Sequence, residues 1–147
     1  MKIQVQHIGV RTFCLIMLST LVFTQSCEIA GELTGASATI DKIEGEWSCD
    51  EQSSIYKATA EVYAVFISPD PDNASGVIID NFYGLQTSAK ANVVGMSLII
   101  SNQTLEGGFI ASGSGIISSN YQEIDMTYKV DDGSGMIDNV TALYTKE

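Results

Sequence analysis

Catalysis needs side chains that accept protons, attack carbon or hold metals, and this chain carries few of them. The 147 residues include one histidine and three cysteines. His7 and Cys14 fall in an N-terminal stretch read below as removed, as do Lys2 and Arg11. A Ser-His-Asp or Cys-His nucleophile needs an imidazole to take its proton, and the remaining chain has none. Zinc needs clustered His or Cys, which Cys27 and Cys49 cannot form. Cys49 reads as a small buried hydrophobe rather than a nucleophile, because no imidazole or guanidinium lies in the mature chain to lower its pKa. Carboxylate pairs remain, and two acids flanking a cleft hydrolyse glycosides. The tight pairs are Glu123 with Asp125 and Asp131 with Asp132. Glu123 and Asp125 alternate against Ile124 and Met126, which predicts a solvated outer face for the acids.

Two acidic loops invite a test for calcium: Asp70-Pro71-Asp72-Asn73-Ala74-Ser75-Gly76 and Asp131-Asp132-Gly133-Ser134-Gly135-Met136-Ile137-Asp138. Ala74 and Ser75 stand where an EF-hand requires a ligand and a glycine, and Asp, Asn and Gly are also what tight turns require. Gly113-Ser114-Gly115 lacks the third glycine, the helix and the lysine of a phosphate loop, and reads as a place where a strand bends or packs closely. The expectation is therefore no catalytic residue, no metal and no cofactor.

These residues sit on a chain built for export. The apolar run from Phe13 to Phe23 follows Lys2 and Arg11 and spans eleven residues. At ~1.5 Å rise each it is too short for a ~30 Å hydrocarbon core, as expected of a signal peptide rather than a membrane span. It ends in Thr24-Gln25-Ser26-Cys27. A small residue before cysteine resembles a bacterial lipobox, with Thr24 and Gln25 departing from the usual residues. The resemblance implies cleavage before Cys27, acylation of its thiol and attachment to the outer membrane or cell surface. Several acyl chains, at roughly 0.8 kcal/mol per buried CH₂, would anchor a domain firmly. The formal charge of the whole chain is −11. Removing Lys2 and Arg11 leaves five basic and eighteen acidic side chains, a net of −13. Phosphate backbones repel such a surface, so no nucleic-acid partner is expected.

The reading divides the chain into a signal peptide over 1–26, a flexible tether over 27–42, and one domain over 43–147. From Ile43 onward the apolar period is two. Expected strands cover 45–51, 56–68, 76–82, 87–95, 97–101, 107–117, 120–130 and 136–145. Over 57–67 the predicted inward face carries Ala58, Ala60, Val62, Ala64 and Phe66; over 121–130 it carries Ile124, Met126, Tyr128 and Val130. Turn residues at Pro69 to Asn73, Gly107-Gly108 and Asp131 to Gly135 separate the strands. About eight antiparallel strands joined by hairpins point to an all-β, up-and-down barrel, with a β-sandwich as the alternative. Closure also removes exposed edges.

Gly45-Glu46-Trp47, placed before seven further strands, resembles the Gly-x-Trp motif of lipocalins and other calycins. The resemblance implies that Trp47 plugs the closed end of a barrel under a basic residue from the last strand. The family uses arginine there; this chain offers Lys146 or Lys129. Together with Asp80-Asn81-Phe82-Tyr83-Gly84, the Val93-Val94-Gly95 turn, Leu98-Ile99-Ile100, Gly113-Ser114-Gly115 and Tyr144-Thr145-Lys146, the chain resembles small Bacteroidota lipoproteins with a calycin-like domain. That likeness implies no shared chemistry. It implies a non-enzymatic barrel that binds a small apolar ligand or a carbohydrate, with Val62, Phe66, Phe82, Tyr83 and Tyr128 as candidate lining residues. The alternative is an accessory envelope domain with a filled core that acts through a protein partner.

Overall fold

The computed structural model describes residues 27–55 and 61–147, and side chains from Gly35 onward except Glu61. The expected signal peptide and the Ala58 and Ala60 positions lie outside the described residues. Eight strands follow one helix: α1 Cys27–Ile43, β1 Gly45–Ser53, β2 Glu61–Pro69, β3 Gly76–Phe82, β4 Thr87–Val94, β5 Ser97–Thr104, β6 Ile110–Ile117, β7 Glu123–Asp131 and β8 Ile137–Lys146. Each strand pairs antiparallel with the next, and β8 returns to β1, closing an up-and-down barrel. The closing register runs from Trp47 opposite Lys146 to Ser53 opposite Val140. Alternation does what the period-two reading requires: Ile124, Met126, Tyr128 and Val130 are buried inside, while Glu123, Asp125, Thr127 and Lys129 face solvent.

Two expectations are corrected. Residues 27–42 are not a tether: a helix runs from Cys27 to Ile43. Its last turns bury Ala36, Thr39, Ile40 and Ile43, an i, i+3, i+4, i+7 stripe that packs one face on the barrel. Thr39 Oγ1 donates to the Gly95 carbonyl in the β4–β5 turn at 3.3 Å. The inward face of β2 is the opposite of the expected one. Tyr63, Val65 and Ile67 point in, while Val62 is 68% and Phe66 46% exposed. From Val62 to Ile67 both parities are apolar, so alternation could not choose. The register could, because Val65 stands opposite Trp47 and Tyr63 opposite Cys49, and parity is fixed once one pair is set.

The closed end is built around Trp47. Gly45 turns the chain from α1 into β1 at φ 128°, a conformation that side-chain-bearing residues rarely adopt. The buried indole Nε1 then donates to the Ile43 carbonyl at 2.8 Å, satisfying a helix C-terminal acceptor. Lys146 Nζ donates to the Lys42 and Glu44 carbonyls and lies 5.3 Å from the indole ring centroid. Of the two lysines expected over the indole, Lys146 is the one that lies there, and Lys129 faces solvent on the outer wall.

Candidate functional site

The half of the barrel away from α1 buries polar groups among its apolar and aromatic side chains. Inward parity on β1 runs Trp47, Cys49, Glu51, so a carboxylate follows two core residues into the interior. Glu51 is fully buried. Tyr63 Oη donates to Glu51 Oε2 at 2.5 Å, and Tyr128 Oη donates to the same oxygen. Tyr63 and Tyr144 flank Cys49 as its cross-strand partners on β2 and β8. The Tyr144 hydroxyl is wholly buried beside this thiol and makes no hydrogen bond of ordinary geometry.

A second carboxylate lies nearer the rim. Asp138, fully buried on β8, accepts from Tyr83 Oη at 2.6 Å and Ser53 Oγ at 2.5 Å through Oδ2. Its Oδ1 accepts from Ser54 N, Ser54 Oγ and Ile55 N. Tyr83 reaches it from the β3–β4 turn at φ 58°. Such a φ is uncommon for a bulky residue, and its cost is of order 1 kcal/mol or more. Contacts that hold it include the Asp138 bond and an edge-on packing against Tyr128 at 6.3 Å, with Phe82 tilted by 44° against the same ring at 4.6 Å. Tyr128 in turn needs Gly113 behind it: a Cβ at that glycine would stand 2.4 Å from the Tyr128 Cβ and 2.5 Å from the Thr127 carbonyl oxygen.

Burial is the main force on the ionisation of these groups. It pushes the Tyr128 hydroxyl far up, with Tyr144, Tyr63 and Glu51 adding to the effect. Burial likewise raises Tyr144, reinforced by Cys49 and Glu51, and Tyr63, reinforced by Cys49 and Glu51. Tyr83 rises through burial and its bond to Asp138. For Asp138 burial acts upward, but the bonds from Ser53, Tyr83 and Ser54 outweigh it and leave the carboxyl below 3.8. The tyrosines therefore keep their protons at neutral pH. They are donors arranged around two acceptors, suited to holding polar atoms rather than abstracting protons.

Of the expected lining residues, Phe82, Tyr83 and Tyr128 meet in this cluster, while Val62 and Phe66 lie on the outer wall. Glu51 and Tyr144 have no site role in the sequence reading, where Tyr63 is only one of several aromatic candidates for a cavity and Asp138 only the end of an acidic loop. The signal was available: a charged residue falling on an apolar parity. The acidic pairs take other roles. Glu123 and Asp125 face solvent, and Asp131 and Asp132 accept from Gly133 N and Ser134 N in the β7–β8 turn. Asp70 pairs with Lys90 at 2.9 Å and accepts from Asp72 N. Among the described residues no group of three or more His, Cys, Asp or Glu is placed to hold a metal.

The chain matches no protein-family model and no curated protein. Its fold is that of a closed eight-stranded antiparallel barrel, with the polar cluster buried inside it.

Proposed function

We propose that this protein is an envelope lipoprotein, anchored through an acylated Cys27 at the outer membrane or cell surface, whose barrel binds a small amphipathic ligand without catalysing a reaction. The observation that carries the binding reading is the interior polar cluster. Burying carboxylates and hydroxyls adds little net stability and often less than hydrocarbon of the same volume would. Two buried carboxylates and four tyrosines, of which Tyr144 has a hydroxyl with no hydrogen bond of ordinary geometry, are therefore better explained by recognition than by packing. The apolar half below, with Leu98, Ile100, Ile124 and Met126 buried, suits an apolar part, and the tyrosine cluster suits a polar end.

The non-enzymatic part of the reading rests on the tyrosines being held protonated and on a mature chain without histidine or arginine. The test is a fluorescence titration of the purified chain with single-chain amphiphiles and with free sugars, alongside a Tyr144→Phe variant. The reading expects saturable amphiphile binding in the low micromolar range or tighter, equivalent to about 8 kcal/mol, and weaker binding by Tyr144→Phe. Absence of saturable binding to every probe would contradict it. For the anchor, Cys27→Ser should move the protein from the detergent phase to the aqueous phase.

One observation favours the second reading, an accessory domain acting through a protein partner. Val62 and Phe66, with Ala64 between them, form an exposed apolar strip on the outer wall of β2. A Val62→Ser/Phe66→Ser double variant that keeps its ligand but loses a co-purifying protein would assign the strip to such a contact.

A further inference from the structure

The barrel is closed, but its β4–β5 ladder is short. Strands β4 and β5 pair only from Asn92 with Ile99 to Val94 with Ser97. Continuing that register would set Lys90 opposite Ser101. Instead β5 carries an irregularity between Ile100 and Gln103 in its pairing with β6, which bends it away from β4. The Gln103 side chain fills the missing rung. Its Oε1 accepts from Lys90 N at 2.9 Å and its Nε2 donates to the Lys90 carbonyl at 2.7 Å. A carboxamide thus imitates the peptide group that the wall lacks. Farther along, Glu106 N donates to Thr87 Oγ1 at 3.1 Å and closes the far end of the seam.

The two sides of this seam differ in chemistry. Outside lies a depression of about 240 Å³ lined by Asp70, Asn73, Lys90, Asn92, Ser101 and Gln103, and by Ala91. Its charges balance, because Lys90 is paired with Asp70. Beneath it the inward residues of β4 and β6 are small: Ala89, Ala91 and Ala111 are all buried. Polar and neutral outside, small and apolar inside, the seam has the profile of an amphiphile with an uncharged, hydroxylated head. The Asn92 Nδ2 and the Ser101 hydroxyl can exchange hydrogen bonds with such a head, the Gln103 and Asn73 carboxamides being engaged with Lys90, Ser75 and Asn92, whereas a bare anion would meet the Asp70 carboxylate.

We propose that the β4–β5 seam is a lateral binding and admission site for a single-chain amphiphile with an uncharged hydroxylated head, latched by the Gln103 carboxamide. The inference rests on the amphiphile-binding reading above and adds the route. Gln103→Ala removes both latch bonds. An Asn92→Cys/Ile99→Cys pair, at positions that face each other across the β4–β5 ladder, staples the seam once oxidised, and its reduced form controls for the loss of Asn92. The probes are monomyristoylglycerol and myristate, followed by stopped-flow fluorescence and by equilibrium titration.

Two neutral hydrogen bonds correspond to about a tenfold change in opening. Gln103→Ala is therefore expected to speed uptake of the monoacylglycerol about tenfold with little change in Kd. The oxidised staple is expected to slow uptake at least as much, with recovery on reduction. Binding whose rate is the same in wild type, Gln103→Ala and the staple would overturn the seam and leave the binding reading intact, with the barrel mouth as the route. No binding to any form would overturn both. Tighter binding of myristate than of the monoacylglycerol would overturn the assignment of the head.

Discussion

Alkali should unfold this barrel for a reason located in four side chains. Tyr128 and Tyr144 are fully buried with their hydroxyl pKa values pushed well above 10, and Tyr63 and Tyr83 are raised in the same direction. In the unfolded chain each would ionise near 10. A raised folded value means that the stabilisation is complete below pH 10 and is lost as pH climbs above it, because only the unfolded state releases protons. Each such tyrosine contributes a slope of about 1.4 kcal/mol per pH unit. Counting Tyr128 and Tyr144 in full gives about 3 kcal/mol per unit. Tyr63 and Tyr83, nearer solvent, raise this toward at most about 5 kcal/mol per unit. For a domain with a stability of ~5–15 kcal/mol, cooperative unfolding follows within a few pH units above 10. Urea unfolding at pH 8, 10, 10.5 and 11 measures the slope, and absorbance at 295 nm reports phenolate formation in the same samples. Tyr144→Phe should lower the slope by about 1.4 kcal/mol per pH unit. A native barrel in which all tyrosines ionise near pH 10, or a stability that stays flat to pH 11, would refute the argument.

Other substitutions test neighbouring parts of the account. Glu51→Leu leaves the Tyr63 and Tyr128 hydroxyls to find new acceptors inside the barrel and should cost about 2–5 kcal/mol in urea unfolding. Gly113→Ala drives a methyl group into Tyr128 and the Thr127 carbonyl, for a loss of about 1–3 kcal/mol and a change in near-UV circular dichroism. Lys146→Ala removes the donor to the Lys42 and Glu44 carbonyls and the cation over Trp47, at about 1–2 kcal/mol, whereas Lys146→Arg should retain most of it. At the acid end, Asp138 contributes stability that is present above about pH 3.8 and is lost as pH falls through its lower folded value, so Asp138→Asn should flatten that limb of the stability curve.

The barrel was legible because its strands alternate cleanly. In β7 every second residue is apolar and every other one polar, leaving a single parity. Where alternation fails, so does the reading: Val62 to Ile67 is apolar throughout, and only cross-strand pairing with β1 tells Tyr63 from Val62. The helix escaped notice because Gly31, Gly35 and several Ser and Thr residues dilute its stripe to Ala36, Ile40 and Ile43, which needs a barrel end to pack on. The sequence left Lys146 and Lys129 as alternatives over Trp47, and only the β1–β8 register, which sets Lys146 opposite Trp47, separates them. The interior cluster was half visible. Aromatic type drew attention to Phe82, Tyr83 and Tyr128, but Glu51 and Asp138 read as surface acids until their parity is set beside Trp47 and Tyr144. The Gln103 latch leaves no sequence signal, since a carboxamide that replaces a backbone rung looks like any polar residue near a turn.

The central claim is that an anchored barrel carries a ligand in its interior. Native mass spectrometry of the protein extracted gently from its own membranes tests it most directly, with spectra taken before and after mild unfolding. The account predicts acyl mass on a chain beginning at Cys27, together with a non-covalent amphiphile that leaves when the barrel opens. A chain that begins elsewhere without acyl mass would contradict the anchor, and an acylated chain that never carries an adduct would contradict the ligand.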